Sequence, residues 1–176
     1  VIGVGQGTTE VTASYTDLLG NKSEATFTAK SGYFPLTYEY VRNNIAGTGT
    51  FTKNANNVVF KFVDTKSQMG WVYDANTDLS DYRYLVIRLS TKQSANAKLN
   101  LYTTEKTTGV CCSTPLSTDD VLTVIDLQSA VYTSNSSKGK PLDASKIRMV
   151  TFSGAVAGKT VIVKEMFLTN DTQYDP

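Results

Sequence analysis

The chain alternates apolar and polar residues with a period of two, and turn-forming residues interrupt this alternation roughly every 8 to 12 residues. Val58, Phe60 and Phe62 share one face of a predicted strand, and Leu99 and Leu101 share one face of another. Strands with one apolar face are stable when that face packs against a second sheet or closes into a barrel. The pattern therefore predicts an all-β fold, a sandwich or barrel, with no long helix.

The predicted strands number about ten and are separated by Gly, Asn and Ser clusters. They cover residues 10–15, 25–30, 36–41, 49–52, 57–64, 70–74, 84–90, 98–104, 121–127, 147–153 and 160–169. Short helical turns are predicted at 126–131 and at 143–147, where Asp143 caps the first turn. A chain of 176 residues can bury one core. We expect a flexible N-terminus over 1–9, a sandwich domain over 10–170 and the start of a linker over 171–176.

Histidine is absent from the sequence, and 17 Lys and Arg against 16 Asp and Glu leave a net charge of +1. Because histidine is the commonest general base and metal ligand, its absence excludes Ser-His-Asp and Cys-His catalysis and His-ligated zinc. The balanced charge argues against nucleic acid as a partner. No apolar stretch reaches the roughly 20 residues of a membrane helix. Cys111 and Cys112 are adjacent, so we expect two structural thiols; a vicinal disulfide and a metal role are the alternatives left open.

Catalysis without histidine would require a pair of carboxylates, and the spacing of the five glutamates pairs none of them. The spacing Asp74-x-Asn76-x-Asp78 resembles the opening of a calcium loop, but Leu79 and Leu85 stand where that loop needs Gly and Glu. A turn whose carboxylates bond their own backbone explains the same residues. We therefore predict no catalytic residue, no metal ligand and no cofactor; a structural calcium ion is the alternative left open.

Three cations near turns, Lys138, Lys140 and Arg148, could meet an anion. Isolated cations at turns are usually solvated, because water compensates their charge at little cost. The sequence favours a solvated surface at all three positions.

Aromatic residues alternate along several predicted strands with the apolar core positions. Trp71 and Tyr73 are two apart, so both rings are expected on one face while Val72 enters the other. Rings of this kind stack on the C–H faces of sugars, and Arg or Asn side chains match sugar hydroxyls. The candidate ligand-binding residues are Trp71, Tyr73, Arg88, Asn100, Tyr102 and Tyr40. The alternative is that these rings cover a second layer, or pack under loops, without a ligand.

Four stretches together resemble one family of domains. The run Gly70-Trp-Val-Tyr-Asp-Ala-Asn-Thr-Asp-Leu-Ser-Asp-Tyr-Arg-Tyr-Leu-Val-Ile-Arg-Leu89 is similar to a hallmark of β-sandwich modules attached to polysaccharide-degrading enzymes of Bacteroidetes-type bacteria. Gly47-Thr-Gly-Thr-Phe51, Val124-Ile-Asp-Leu127 and the closing stretch 145–171 agree with it in order and spacing. The resemblance covers about residues 10–172.

The resemblance implies a two-sheet antiparallel sandwich with galactose-binding-like jelly-roll topology. It further implies a monomeric, non-catalytic carbohydrate-binding module, secreted or at the cell surface of a bacterium. The module would bind a poly- or oligosaccharide, such as one of the plant cell wall, and target a fused glycoside hydrolase domain to it. Two alternatives stay open: a spacer domain that packs against a catalytic domain without a sugar, and a small glycosidase whose two acidic groups lie about 5 to 10 Å apart.

Overall fold

This computed structural model describes residues 7–31, 40–155 and 157–170, and their regular secondary structure is almost entirely β-strand. The chain divides into two units, Val1–Phe34 and Pro35–Pro176. Among the described residues, no helix is long and apolar enough to cross a membrane. The predicted all-β class is confirmed, whereas the predicted domain boundary at residue 10 stays a prediction.

The first unit contains one hairpin, in which β1 (Gly7–Thr16) pairs antiparallel with β2 (Lys22–Ser31). Its turn is organised by Asp17, whose Oδ1 accepts hydrogen bonds from the backbone N–H groups of Leu19 at 2.8 Å and Asn21 at 2.9 Å. The side-chain amide of Asn21 also donates to Asp17, and this bond lowers the pKa of the carboxyl. A short Asx-type turn of this kind joins the two strands in register.

In the part of the second unit that the structure describes, ten strands form two five-stranded antiparallel sheets. The strands are β3 (Val41–Ala46), β4 (Gly49–Asn54), β5 (Asn57–Phe62), β6 (Gln68–Thr77), β7 (Tyr84–Leu89), β8 (Lys98–Tyr102), β9 (Cys111–Pro115), β10 (Leu122–Asp126), β11 (Ile147–Ser153) and β12 (Thr160–Thr169). One sheet has the order β10-β7-β12-β5-β4 and the other has the order β3-β6-β11-β8-β9. We call them the β7 sheet and the β6 sheet after a strand of each.

Successive strands from β5 to β8 alternate between the two sheets, and so do those from β9 to β12. Four adjacent strands of each sheet, β10-β7-β12-β5 and β6-β11-β8-β9, are those of an eight-stranded jelly roll. Strands β4 and β3 extend one edge of each sheet. The topology that the sequence resemblance implied is therefore present in the second unit.

Three aromatic rings lie between the sheets at the centre of the core. Phe60 of the β7 sheet and Trp71 of the β6 sheet are 5.3 Å apart between ring centroids, and Phe152 lies 5.6 Å from Phe60. All three side chains are fully buried. Edge-to-face contacts of this kind add to the stabilisation from burial, so this cluster joins the two sheets across the sandwich.

Two stretches that carry the family resemblance form one interlocked turn. The Oδ1 atom of Asp78 accepts from the backbone N–H of Ser80 at 2.9 Å and from its hydroxyl at 2.6 Å, while Leu79 between them is fully buried. Asn170, at the end of the chain's last strand, accepts from the Arg83 N–H at 2.8 Å. These residues hold strand ends together, so their motif encodes the fold.

Glycine is required at Gly70 of the resembling stretch, because its φ is +155° and a Cβ there would overlap the carbonyl oxygen of Val150 on β11.

The structure departs from the predicted elements at a few places. Strands β3 and β9 were not predicted: β3 is rich in Asn and β9 contains Pro115, both of which are rare in strands. The predicted strand 36–41 lies outside the described residues except at its last two positions. The predicted helical turn at 126–131 is wrong, since 127–129 form a non-helical turn after β10. The predicted Asp143 cap is confirmed and precedes a 3-10 turn, Ala144–Lys146.

Candidate functional site

Trp71 and Tyr73 lie inside the sandwich and not on an exposed sheet face. Trp71 is fully buried against Phe60 and Phe152, and Tyr73 is only 3% exposed. The expectation that both rings project away from the core is therefore wrong. Period-two alternation shows only that two side chains share a face, and the larger rings occupy the inner face because it buries more apolar area.

Tyr40 precedes β3 and is half-buried. Its ring meets that of Tyr73 edge to face, with 5.3 Å between centroids. Because Tyr73 is buried, this contact ties Tyr40 to the core and leaves only its remaining surface to solvent. The structure thus brings Tyr40 and Tyr73 together as a packing pair.

Asn100 and Tyr102 do point away from the core, as predicted, on the outer face of the β6 sheet. That face is nevertheless closed: Asn100 is 4% exposed and Tyr102 is 5% exposed. Asn100 accepts from the Ser113 hydroxyl at 2.7 Å and donates to Ser153 Oγ at 2.9 Å. Both ends of its amide are therefore occupied by the protein.

Gln68 extends this hydrogen-bond network along the same face. Its side-chain amide donates to the Tyr102 hydroxyl at 3.0 Å and to Thr151 Oγ1 at 2.6 Å. Thr151, which is fully buried, also contacts Asn100 Nδ2 at 3.3 Å. We call this face, with Gln68, Asn100, Tyr102 and Thr151, the closed face.

Apolar side chains complete the closed face beside the network. Tyr102 packs with the buried Met149 and Cys111, and Ile45 and Val72 pack against them. Burial is the main cause that raises the pKa of the Tyr102 hydroxyl. A neutral, buried phenol that accepts a hydrogen bond from Gln68 serves packing, so these residues of the closed face are engaged within the protein.

Arg88 is the predicted site residue that lies in an open concave site. It is on the outer face of the β7 sheet, in a cleft of about 610 Å³ that we call the Arg88 cleft. The cleft is lined by Asn56, Asn57, Arg88, Lys164 and Glu165. Arg88 Nε donates to Glu165 Oε2 at 3.1 Å, while the side chain of Glu165 is 51% exposed and that of Arg88 is 21% exposed.

A β-bulge creates the polar wall of this cleft. The pairing of β12 with β7 shifts between Val163 and Glu165, so that Lys164 and Glu165 are both exposed although they are adjacent. On the other side, Asn56 and Asn57 come from the tight β4–β5 turn, in which Asn54 Nδ2 donates to Asn57 Oδ1 at 2.8 Å.

The Arg88 cleft offers donors and acceptors within a small space: a guanidinium, an ammonium, two amides and a carboxylate. Such a set matches a ligand rich in hydroxyl groups. Neither Glu165 nor the two asparagines were among the residues predicted from the sequence. A signal for Glu165 existed, because two adjacent charges in an otherwise alternating strand indicate a bulge.

The predicted residues thus separate into three places. Trp71 and Tyr73 lie in the core, with Tyr40 against them; Asn100 and Tyr102 lie on the closed face; and Arg88 lies on the outer face of the opposite sheet. They do not form one surface. Among the described residues, no three His, Cys, Asp or Glu side chains form a group that could hold a metal ion.

Comparisons with known proteins give a structural likeness only. Neither a protein-family model nor a curated protein matches the chain. A structure entitled "Structure of PfGH50B" matches with a TM-score of 0.53 and 13% identity, over 77% of this chain and 23% of that one. The agarase AgWH50C matches with a TM-score of 0.53 and 13% identity, over 82% of this chain and 26% of that one. The chain therefore shares a β-sandwich fold with about a quarter of each of these larger chains.

Proposed function

We propose that this protein is a non-catalytic accessory domain that binds a poly- or oligosaccharide through the Arg88 cleft and holds an attached polysaccharide-degrading domain near its substrate. The observation that carries the proposal is the open pairing of Arg88 with Glu165 beside two asparagines. Planar polar groups of this kind hydrogen-bond adjacent sugar hydroxyls, and the exposed Glu165 carboxylate accepts where Arg88 donates.

The shared fold supports the accessory role. The structural neighbours include an agarase, and the likeness spans only about a quarter of that chain. A fused hydrolase and a bacterial extracellular location belong to this proposal, as does the absence of catalysis. Agarose and other galactans are the first ligands to test, and plant cell wall glucans, mannans and xylans are the second.

The proposed affinity is modest, because the Arg88 cleft is open and its groups are hydrated before binding. A site of this kind, which binds through a few hydrogen bonds, corresponds to a Kd of about 1 µM to 1 mM.

Affinity electrophoresis through gels that contain each polysaccharide tests the proposal. Arg88→Gln removes the guanidinium. We expect at least one glycan that retards the parent to leave R88Q unretarded. The matched control is Arg83→Gln, since Arg83 forms an ion pair of equal length, 3.1 Å to Asp126, outside the cleft. Equal retardation of the parent and R88Q by every retained glycan would refute the assigned cleft.

A spacer domain without a sugar ligand is the second candidate, and one observation favours it. On the outer face of the β7 sheet, Val86 is aligned between Val124 of β10 and Phe167 of β12. Val86 is fully buried, while its two neighbours are half-buried. An apolar row on an outer sheet face is a surface on which another domain can pack.

Hydrogen exchange distinguishes the two candidates. If the chain is a spacer, strands β10 and β12 should gain protection when it is joined to its catalytic domain, and no glycan should retard the isolated chain. Retardation by a glycan, with unchanged exchange of β10 and β12 in the joined protein, would exclude the spacer role.

A further inference from the structure

A second cleft, on the β6 sheet, contains a charged pair that the proposed function does not use. It has a volume of about 640 Å³ and is lined by Asn76, Thr103, Thr104, Glu105, Lys106 and Arg148, among others. We call it the Arg148 cleft. Arg148 comes from β11, at the point where its pairing with β6 shifts between Ile147 and Met149.

Arg148 is not the solvated cation that the sequence predicted. Its side chain is only 14% exposed, and Nη2 forms an ion pair with Glu105 Oε1. A guanidinium with so little access to water needs an anionic partner, because desolvation of an unpaired charge is costly. In this structure, Glu105 is that partner.

Glu105 itself is held weakly. Its side chain is 59% exposed and lies on the loop between β8 and β9. An exposed carboxylate makes only a small net contribution in an ion pair, since water solvates it well when it leaves. Arg148 is therefore a fixed cation with an exchangeable carboxylate.

The backbone of the Glu105 loop is fixed even though this side chain is exposed. The side-chain amide of Asn135 donates to the carbonyl oxygens of Thr108 and Gly109, both at 2.9 Å. Gly109 N–H donates to the Lys106 carbonyl oxygen at 2.7 Å, and a Cβ at Gly109 would overlap Thr104 Oγ1. The rim of the cleft is thus preformed, so a ligand would not have to order it.

The remaining side chains of the Arg148 cleft suit a sugar acid. Threonine hydroxyls and the Asn76 amide are neutral donors and acceptors, and Lys106 is a second cation. With Glu105 displaced, the lining carries Arg148 and Lys106 without a compensating carboxylate. A carboxylate matches the geometry of the guanidinium fork, and Glu105 already occupies this position as one.

We propose that the Arg148 cleft is a subsite for the carboxylate of a uronic acid residue in an acidic polysaccharide, and that Glu105 occupies it in the absence of ligand. The ligand carboxylate exchanges with the Glu105 carboxylate on Arg148, and hydroxyls of the same sugar contact the threonines and Asn76. Because the ligand is taken to be a saccharide, this subsite rests on the proposed function, but it lies on the opposite sheet from the Arg88 cleft.

Retardation in gels containing polygalacturonate tests this subsite. Glu105→Gln removes the internal competitor, and we expect it to strengthen retention about two- to fivefold. Arg148→Lys keeps the charge but loses the fork, and we expect it to weaken retention about tenfold or more. The control for added positive charge is Glu24→Gln, which removes an exposed carboxylate paired with Lys22 on the hairpin.

Unchanged or weaker retention of E105Q would overturn the subsite. An equal gain in retention in E24Q would overturn it as well. So would parent-like retention of R148K, provided that this variant unfolds at the same midpoint as the parent. If R148K does not fold, the comparison of E105Q with E24Q decides alone. Stronger retention by a sulfated galactan than by polygalacturonate would overturn the assignment to a carboxylate. Arg88→Gln, measured on neutral glycans in the same gels, reports separately on the proposed function.

Discussion

The outer faces of the two sheets differ although the same alternation of residues generates both. On the closed face of the β6 sheet, Asn100 and Tyr102 are buried and bonded to other side chains. On the outer face of the β7 sheet, Arg88 lines an open cleft, and its carboxylate partner Glu165 is half-exposed. A polar residue opposite a core position is therefore not by itself a ligand contact.

Whether an outward-facing polar group is closed off or open depends on its neighbours across the sheet. Asn100 meets Ser113 and Thr151 on the two flanking strands, and both can satisfy an amide. Arg88 meets Leu122 on one side and, at a bulge, Glu165 on the other. Closed networks of hydrogen bonds stabilise the fold, whereas an exposed ion pair at a bulge can exchange partners.

Substitutions in the core should lower the free energy of unfolding more than substitutions on either outer face. Trp71→Ala removes a fully buried ring from its contacts with Phe60 and Phe152, and we expect a loss of about 3–5 kcal/mol in the free energy of unfolding. Urea unfolding, followed by circular dichroism, measures it. The control is Tyr84→Ala on the outer face of the β7 sheet, for which we expect the smaller loss. Near-parent stability of W71A would contradict the burial of the indole.

The closed face should respond to the loss of one amide. Asn100→Ala leaves the hydroxyls of Ser113 and Ser153 without a buried partner, and we expect a loss of about 1–3 kcal/mol in the free energy of unfolding. Ser113→Ala should cost less, and the double variant should cost less than the sum of the two, because both remove one bond. Strict additivity would contradict the shared network. Neither Asn100→Ala nor Ser113→Ala should change retention by a glycan.

Acid should weaken the turns that join the strands. The hydrogen bond from the Ser80 side chain lowers the pKa of Asp78, and that from Lys146 lowers the pKa of Asp143. A carboxyl whose folded pKa is depressed stabilises the protein above its unfolded value and loses this contribution as the pH falls through the folded value. We therefore expect the midpoint of unfolding to decrease when the pH is lowered below about 4.

Asp78→Asn separates this effect from other acid effects, because it cannot titrate. When the pH is lowered below about 4, the midpoint of unfolding should decrease less in D78N than in the parent. Ser80→Ala should reduce the fall as well, since it removes the hydrogen bond that depresses the pKa. A fall of equal size in all three proteins would show that the Asp78 turn does not contribute.

The smallest effect on stability should come from the open face. The Arg88–Glu165 ion pair is exposed at its carboxylate, and we expect Arg88→Gln to change the free energy of unfolding by less than about 1 kcal/mol. The same substitution should abolish retention by a glycan. Calorimetry measures the free energy of unfolding of R88Q and R83Q. A loss of several kcal/mol in R88Q alone would show that Arg88 stabilises the fold.

Much of the fold could be predicted from the sequence, because strand alternation and turn residues are local signals. The ranges 147–153 and 160–169 and the Asp143 cap agree with the structure. The edge strands β3 and β9 could not be predicted, since Asn, Cys and Pro carry no strand preference and the pairing partners supply the order. The motifs that carry the resemblance are fold motifs, as the Asp78 and Asn170 contacts show.

The candidate site was predictable only at Arg88. For Trp71, alternation could not decide which of the two faces is the inner one, because β6 is buried on both sides near its start. Glu165 and Glu105 meet their arginines through bulges and a loop, and neither distance follows from spacing in the chain. Long-range register is a property of the whole sandwich.

Heteronuclear NMR on the ¹⁵N-labelled protein can distinguish binding at the Arg88 cleft from binding at Trp71, because Trp71 is the only tryptophan and gives a single indole N–H resonance. During titration with the oligosaccharide of a retained glycan, we predict shifts at the side-chain amides of Asn56 and Asn57 and at Arg88 Nε–H. The Trp71 indole resonance should stay in place. Larger shifts at the Trp71 indole than at the Arg88 cleft would contradict the account and return the binding site to the predicted aromatic face.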